Sequence, residues 1–323
     1  MIGALTRGLG RLGDFGLFAP LLAVAVGLLL PSLAGIGYAL LIPSVILMFA
    51  ISVAIVEQGR LQWLEVWPAF GLAVCNLLLA PLLVHALALG MGLNEVGGWI
   101  VLVAACPVAG AATLVSGLLG LAMRPMLQAQ LLCFFALPVT APLVAAVMLD
   151  DLVVDPVILF WRVVLMVALP SLVGLGLRQF LRGERRGFAL RPIRGVGTLG
   201  LCGIGLALAH GLSSKLGADI PWASSILGLG IASLVGGMLG GAIGALSGRL
   251  GGAQLGASFM LGGALRNASL LWSATMGLTS PGGEAVMMLG TLWAYLLPAL
   301  LGLYQWRPAL FRRAVALTPG RPL

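Results

Sequence analysis

The stretch Phe259-Met-Leu-Gly-Gly-Ala-Leu-Arg266-Asn267-Ala-Ser-Leu-Leu-Trp272 places one arginine in the middle of an apolar run. Only uncharged residues lie between Arg249 and Arg266 and between Arg266 and Glu284, so a spanning helix here would hold the guanidinium near the bilayer centre. That position costs about 2.5–3.5 kcal/mol unless the arginine faces an anion, backbone carbonyls or a wet cavity. We therefore expect Arg266 to belong to a substrate or ion site. The alternative is a buried arginine that only ties helices together.

The composition requires lipid as the solvent. Hydrophobic residues make up 60% of the chain and charged residues 9%, against about 25% charged in soluble domains, and the mean hydropathy is +1.11. The net charge of +8 could suggest nucleic acid, but the arginines lie in short loops between apolar runs. We expect a lipid bilayer and no nucleic acid as partner. The four cysteines lie within apolar segments without metal-ligand spacing, so no metal site or disulfide framework is predicted.

The apolar runs predict ten membrane-spanning helices, because a bilayer core needs about 20 apolar residues per helix. The connections between them are short and leave no room for a soluble domain. The predicted spans are 15–33, 36–56, 66–91, 97–121, 125–148, 153–177, 193–214, 223–247, 253–277 and 284–306.

The basic residues are distributed on one side of this topology. Lys215 alone falls in a loop on the other face, and Arg162 and Arg266 fall within spans. Such a bias predicts an even number of spans with both termini in the cytoplasm. Before the first span, leucines opposite Arg7 and Arg11 predict a short surface helix. The one-sided residues are Arg7, Arg11, Arg60, Arg124, Arg178, Arg182, Arg185, Arg186, Arg191, Arg194, Arg249, Arg307, Arg312, Arg313 and Arg321.

Ten spans divide into two halves, residues 1–150 and 151–323, which start on opposite faces and are therefore predicted to be inverted repeats. Inverted repeats are typical of secondary transporters, in which paired helices break at the midplane around the substrate. Spans four and nine correspond in this division. Pro107 interrupts the first of them and Gly262-Gly263 with Arg266 the second, so both are predicted to be broken.

With these residues assembled, the chain resembles the bile acid/sodium symporter family, as a bacterial-type member. The resemblance rests on Leu47-Met-Phe-Ala-Ile-Ser-Val-Ala-Ile55, on Asn76 five residues before Pro81, on Cys106-Pro107 and on Arg266-Asn267. It implies an all-α fold in the cytoplasmic (inner) membrane. A panel domain would hold spans 1, 2, 6 and 7. A core domain would hold spans 3–5 and 8–10, with spans four and nine crossing.

The resemblance also implies the site. Thr113 and Asn267 would occupy the two crossover positions, and Asn76 would supply a polar amide from span three. The predicted substrate-binding residues are Arg266, Asn267, Thr113, Asn76, Ala112 and Pro107. The predicted ion-site region contains Gly262, Gly263, Ser116, Gln130 and Ser269.

Sodium-coupled relatives differ from this chain at the ion site. They have serine and asparagine where Ala112 and Thr113 stand, an acid where Gly262 stands, and glutamine where Arg266 stands. Sodium prefers several oxygen ligands including a carboxylate, and the acidic residues here lie at span ends. We therefore expect the Arg266 guanidinium to act as a tethered cation. It would either hydrogen-bond unwound carbonyls of span four or reach an anionic substrate directly.

The function expected is secondary transport of a small organic anion (a carboxylate, a sulfonate or a bile-acid-like molecule) by alternating access. Arg162 would be a second anion contact or would extend to the interface. The alternatives are efflux of arsenite or another oxyanion through Cys106, and sodium-coupled symport with a non-standard ion site. No nucleophile–base spacing or His-Glu-x-x-His motif appears, so an enzyme is disfavoured. No cofactor is predicted, and the oligomeric state stays open.

Overall fold

The computed structural model describes residues 2–14, 16, 18–55, 63–93, 96–148, 155–180, 185–215, 219–247 and 252–305. This part of the chain contains helices and no strand. In order they are α1 Ile2–Asp14, α2 Ala19–Leu29, α3 Pro31–Ala39, α4 Leu41–Ile55, α5 Trp63–Val74, a π-helical turn Cys75–Leu79, α6 Ala80–Gly90, α7 Gly97–Ala104, α8 Gly110–Leu118, α9 Met123–Met148, α10 Pro156–Phe180, α11 Arg185–Lys215, α12 Trp222–Leu246, α13 Gly252–Ala264, α14 Ala268–Thr275 and α15 Pro281–Gln305.

Some predictions fall on residues outside this description. The boundary between the two predicted halves, at residues 150 and 151, is one of them. Several arginines of the topology prediction are the others: Arg60, Arg182, Arg249, Arg307, Arg312, Arg313 and Arg321.

Within the described ranges, six helices are long and apolar enough to cross a membrane, and each coincides with a predicted span. A seventh is obtained if α3 and α4, which meet at a bend of 65°, count as one span. The helix α2 is apolar but has only 11 residues. Six of the ten predicted spans are thus confirmed as continuous helices: Val66–Gly90, Met123–Met148, Pro156–Gln179, Pro192–Lys215, Trp222–Leu246 and Pro281–Leu301.

The regions predicted as spans four and nine are each divided into two short helices. The first consists of α7 and α8, separated by residues 105–109, and the second of α13 and α14, separated by residues 265–267. Pro107 cannot donate a backbone hydrogen bond, and Arg266 and Asn267 follow two glycines that weaken a helix. Both interruptions therefore occur where the sequence predicts them.

Two sets of packed helices surround these interruptions. The long helix α11 packs against α1, α2, α3 and α4, and α10 packs against α4. We call these six helices the α11 group. The remaining helices, among which α12 and α13 make the most extensive contact, are called the α12 group. The predicted short N-terminal helix is present as α1, and it lies so close to α11 that a Cβ on Gly195 would meet the backbone of Leu9.

Candidate substrate site at a helix crossover

The two interrupted regions are hydrogen-bonded to each other at their breaks. The Ala109 N–H donates to the Leu265 carbonyl at 3.0 Å, and the Asn267 N–H donates to the Pro107 carbonyl at 2.8 Å. This antiparallel pairing of Val108 with Arg266 brings four helix ends together. The C-terminal ends of α7 and α13 supply carbonyls with partial negative charge, and the N-terminal ends of α8 and α14 supply N–H groups with partial positive charge.

Arg266 lies on the carbonyl side of this crossover. Its side chain is buried, with 3% of its surface exposed. The Nη1 atom donates to the carbonyl of Asn76 at 3.1 Å and to that of Cys106 at 3.3 Å. Within the described residues, Nε and Nη2 have no hydrogen-bond partner. The guanidinium is thus held by two backbone carbonyls, of which that of Cys106 lies in the interrupted region predicted as span four.

The Asn76 carbonyl is available to Arg266 because the helix leaves it unpaired. Residues 75–79 form a π-helical turn in which the Ala80 N–H bonds to Cys75. An α-helical register would pair the Asn76 carbonyl with Ala80, and a π-helical register would pair it with Pro81. The first N–H is already engaged and the second does not exist. The spacing of five residues between Asn76 and Pro81 therefore provides a free acceptor in the apolar interior.

Close contact between α12 and α13 encloses the guanidinium. A Cβ on Gly236 would meet the Gly263 carbonyl oxygen and Nη2 of Arg266, and a Cβ on Gly263 would meet the Gly236 carbonyl. The Asn76 amide contributes a long hydrogen bond from Nδ2 to the Gly262 carbonyl, 3.5 Å. Only glycine at positions 236 and 263 permits this approach, which keeps Arg266 away from lipid.

These residues do not suit the sodium ion that the family resemblance implies. The carbonyls of Asn76 and Cys106 already accept hydrogen bonds from a guanidinium, whose charge would repel a second cation. At position 262, where the family resemblance leads us to expect an acid, a Cβ would lie 2.6 Å from the Met126 sulfur. An apolar thioether thus occupies the space of a carboxylate ligand.

On the N–H side of the crossover lies a cavity of about 330 Å³ between the two helix groups. The α12 group lines it with Ala109, Gly110, Asn267, Ser269, Thr291 and Tyr295, among others. The α11 group contributes residues that include Pro20, Met48, Ser52, Arg194, Thr198 and Leu201. The first residues of α8 and α14 therefore face the same space as side chains from α11.

Polar groups in this cavity suit an anion. The Ser269 hydroxyl donates to Oδ1 of Asn267 at 2.9 Å, so the asparagine amide has its Nδ2 as a donor for a ligand. Arg194 is the one charged side chain among the described residues of the cavity wall, and it is exposed. The cavity thus extends from a buried amide at the crossover to a guanidinium at the surface.

The predicted site residues are divided among several places. Asn267 and Ser269 lie on the cavity wall, whereas Arg266, Asn76, Gly262 and Gly263 lie together behind the crossover. Ala112 is fully buried in α8, and Pro107 contributes its carbonyl to the crossover. The Thr113 hydroxyl donates to Gln130 at 2.6 Å, and Ser116 is paired with Ser258 at 3.2 Å. The five predicted ion-site residues therefore do not converge on one point.

Two other predicted residues have structural partners. Arg162 donates through Nη1 to the carbonyls of Ala274 at 3.3 Å and Met276 at 2.7 Å, where a cation stabilises the C-terminal end of α14. The Cys106 thiol is buried and lies 3.6 Å from the Leu102 carbonyl of its own helix region.

Sequence reasoning missed the cavity residues on α11 and α15. It counted Arg194 among the one-sided loop arginines, although the predicted span 193–214 contains it and the apolar part of α11 begins at Pro192. The useful signal was its position within the first turn of that apolar segment. For Thr198 and Thr291 the sequence offers no signal, because single hydroxyl residues in membrane helices usually bond to their own helix.

No protein-family model and no curated protein matches this chain. The resemblance to bile acid/sodium symporters therefore rests on the residues quoted above.

Proposed function

We propose that this protein is a secondary transporter of a small organic anion. The main support is the cavity between the two helix groups. It is bounded by two helix N-termini and by Asn267, and its one charged wall residue within the described chain is the cationic Arg194. Helix N-termini and arginine both favour anions.

The proposal includes the predicted ten-span topology. In it, α2 is the first span, α3 and α4 form the second, and the two interrupted regions form the fourth and ninth. The α11 group then corresponds to the panel domain, apart from the N-terminal α1, and the α12 group to the core domain. Backbone away from regular helix is tolerated at membrane depth where it is buried in protein or lines a cavity, as residues 105–109 and 265–267 are.

Arg266 acts in this proposal as a permanent cation. The crossover separates charge: carbonyl ends face the guanidinium, and N–H ends face the substrate cavity. A tethered cation compensates the carbonyl dipoles in every state of the transport cycle, so a coupling ion at this position is unnecessary. The substrate is then bound by Asn267 and the N-termini of α8 and α14, and Arg266 has no direct contact with it.

Alternating access would occur by movement of the α12 group against the α11 group around the cavity. In the present conformation the cavity reaches the exposed Arg194, which the one-sided arginines assign to the cytoplasmic face. The oxyanion-efflux alternative lacks support, because the Cys106 thiol is buried against Leu102 and is not part of the cavity wall.

The test is ligand binding followed by uptake. Purified protein is screened by thermal shift against short mono- and dicarboxylates and sulfonates, each paired with its uncharged amide. Radiolabelled hits are then assayed in proteoliposomes in sodium and in choline buffers. We expect stabilisation by acids and not by amides, and uptake that is equal in the two buffers. Equal stabilisation by amides, or absence of uptake for every stabilising acid, would refute anion transport. Uptake that requires sodium would refute the role of Arg266.

A further inference from the structure

A partly buried ionic cluster joins the two helix groups at the end of the molecule opposite Arg194. Glu284 in α15 forms an ion pair with Lys215 at the end of α11, with 2.9 Å between Nζ and Oε2. Its Oε1 atom accepts a hydrogen bond from the Tyr38 hydroxyl at 2.8 Å. Lys215 and Tyr38 belong to the α11 group, and Glu284 belongs to the α12 group. We call these three residues, with Trp272, the Glu284 cluster.

The position of the cluster follows from the length of α11. A helix rises 1.5 Å per residue, so Lys215 lies about 30 Å along α11 from Arg194. The lysine and glutamate side chains have 14% and 15% of their surface exposed, so little water screens the pair. The cavity is thus accessible at one end of α11, and a partly buried ion pair holds the groups together at the other.

The cluster also holds the short helix α14, whose N-terminal end lies on the cavity wall. Trp272 in α14 directs its indole Nε1 to Glu284 at 3.4 Å, and Arg162 from the α11 group binds the Ala274 and Met276 carbonyls. The other end of α14 begins next to Asn267 on the cavity wall. This helix has 8 residues and is about 12 Å long. A shift of α14 caused by a bound ligand would therefore act directly on these contacts.

We infer that the Glu284 cluster is the gate at the Lys215 end of the interface between the two helix groups. The gate opens when Glu284 releases Lys215 and Tyr38, and α14 transmits the occupancy of the cavity to it. This inference rests on the proposed transport function, because it assigns the contact that must break for the cavity to reach the second face. The contacts with Arg162 open in the same step, since they join the same helix to α10.

A cysteine reporter on α14 measures gate opening without a transport assay. Ser273 is 2% exposed and lies against Met166 of α10, 3.7 Å from its sulfur, so it is shielded while the groups are closed. In Ser273→Cys, alkylation by a charged maleimide in detergent reports the open fraction. The unsubstituted protein gives the background from its own four cysteines. Adding Glu284→Gln should raise the labelling rate about tenfold or more, since it removes a charge-assisted contact of the closed state.

The matched control is Asp219→Asn, which removes the same charge from an exposed residue shortly after α11. It should leave labelling within about twofold. The charge-reversed pair Lys215→Glu with Glu284→Lys should restore slow labelling, as expected for a direct pair. If Glu284→Gln does not fold, Tyr38→Phe removes only the hydroxyl bond and should still raise the rate severalfold.

The result that would overturn the gate is unchanged labelling in folded Glu284→Gln or Tyr38→Phe. Labelling that rises equally in Asp219→Asn would also overturn it, because loss of any negative charge on the protein would then explain the faster labelling. Faster labelling in a protein that takes up no anion would support the gate while refuting the proposed function, so the two failures are distinguishable.

Discussion

The guanidinium of Arg266 donates to the backbone carbonyl of Asn76 at 3.1 Å, across 190 residues of sequence. The contact depends on two local features that the sequence displays separately: a proline five residues after Asn76, and an arginine at the break of a helix. Together they place a positive charge against backbone dipoles in the apolar interior.

Replacing Arg266 by glutamine should make the protein sensitive to sodium. Glutamine is neutral, so the carbonyls of Asn76 and Cys106 lose their cationic partner and become available to a small cation. We expect Arg266→Gln to lose about 1–3 kcal/mol of stability, the cost of leaving buried acceptors unpaired. Sodium chloride should recover part of this loss, while choline chloride should not. Thermal unfolding in detergent at equal ionic strength measures both effects.

Arg266→Lys serves as the control for charge. It keeps a cation that can approach one carbonyl at a time, so it should remain insensitive to sodium. Sodium stabilising the wild type as strongly as Arg266→Gln would contradict the tethered-cation role.

Replacing Pro81 by alanine should weaken the protein, contrary to the usual effect of removing a proline from a helix interior. The usual gain approaches about 3 kcal/mol. Here the new N–H at position 81 would compete with Arg266 for the Asn76 carbonyl and favour a regular helix. We expect Pro81→Ala to lower the unfolding temperature, and Pro138→Ala in α9 to leave it unchanged or raise it. A higher unfolding temperature for Pro81→Ala would show that the π-helical turn has no role in holding Arg266.

The interruptions and most long helices were predictable because their signals are local. Pro107 removes a hydrogen bond wherever a helix passes through it, and an apolar run of sufficient length predicts a span regardless of its neighbours.

The contact of Asn76 was only partly predictable. Its position pointed to an amide ligand, yet the carbonyl makes the stronger contact, and the Oδ1 atom is buried with no hydrogen-bond partner in the described residues. Which group of a residue is used depends on tertiary packing.

The Glu284 cluster illustrates what sequence patterns could not supply. Tyr38 and Glu284 are 246 residues apart, and each has an ordinary role at the end of a predicted span. Arg194 was obscured for a different reason. A cluster of arginines at a membrane face is explained by topology alone, so the member that borders the cavity is not distinguished from the others.

Gly236→Ala should be strongly destabilising, because the added Cβ would meet both the Gly263 carbonyl oxygen and the Arg266 guanidinium. Separating α12 from α13 to admit a methyl group costs about 1–3 kcal/mol in a packed interior. The matched control is Gly230→Ala on the same helix, where a Cβ has no atom within 4 Å. Alanine also favours helix by about 1 kcal/mol over glycine, so this control should be neutral or stabilising. Unfolding temperatures and detergent-resistant yields of the two variants should therefore move in opposite directions.

Replacing Arg194 by glutamine should weaken binding of the anion without destabilising the fold. The residue is exposed on the cavity wall, so its removal takes away a charge-assisted contact and long-range attraction. An exposed charge contact of this kind is worth about 0.2–1 kcal/mol, which corresponds to roughly a 1.4- to 5-fold increase in Kd. The weakening should diminish as salt is raised, because the screening length falls from about 10 Å at 0.1 M to about 3 Å at 1 M.

Arg178→Gln provides the comparison, since it removes the same charge from α10, and Arg178 is not on the cavity wall. Isothermal titration with the best acid from the thermal screen, at low and high salt, measures the difference. An equal loss of affinity in both variants would mean that Arg194 acts only through net charge, and an unchanged affinity in Arg194→Gln would place the bound acid entirely at the Asn267 end of the cavity.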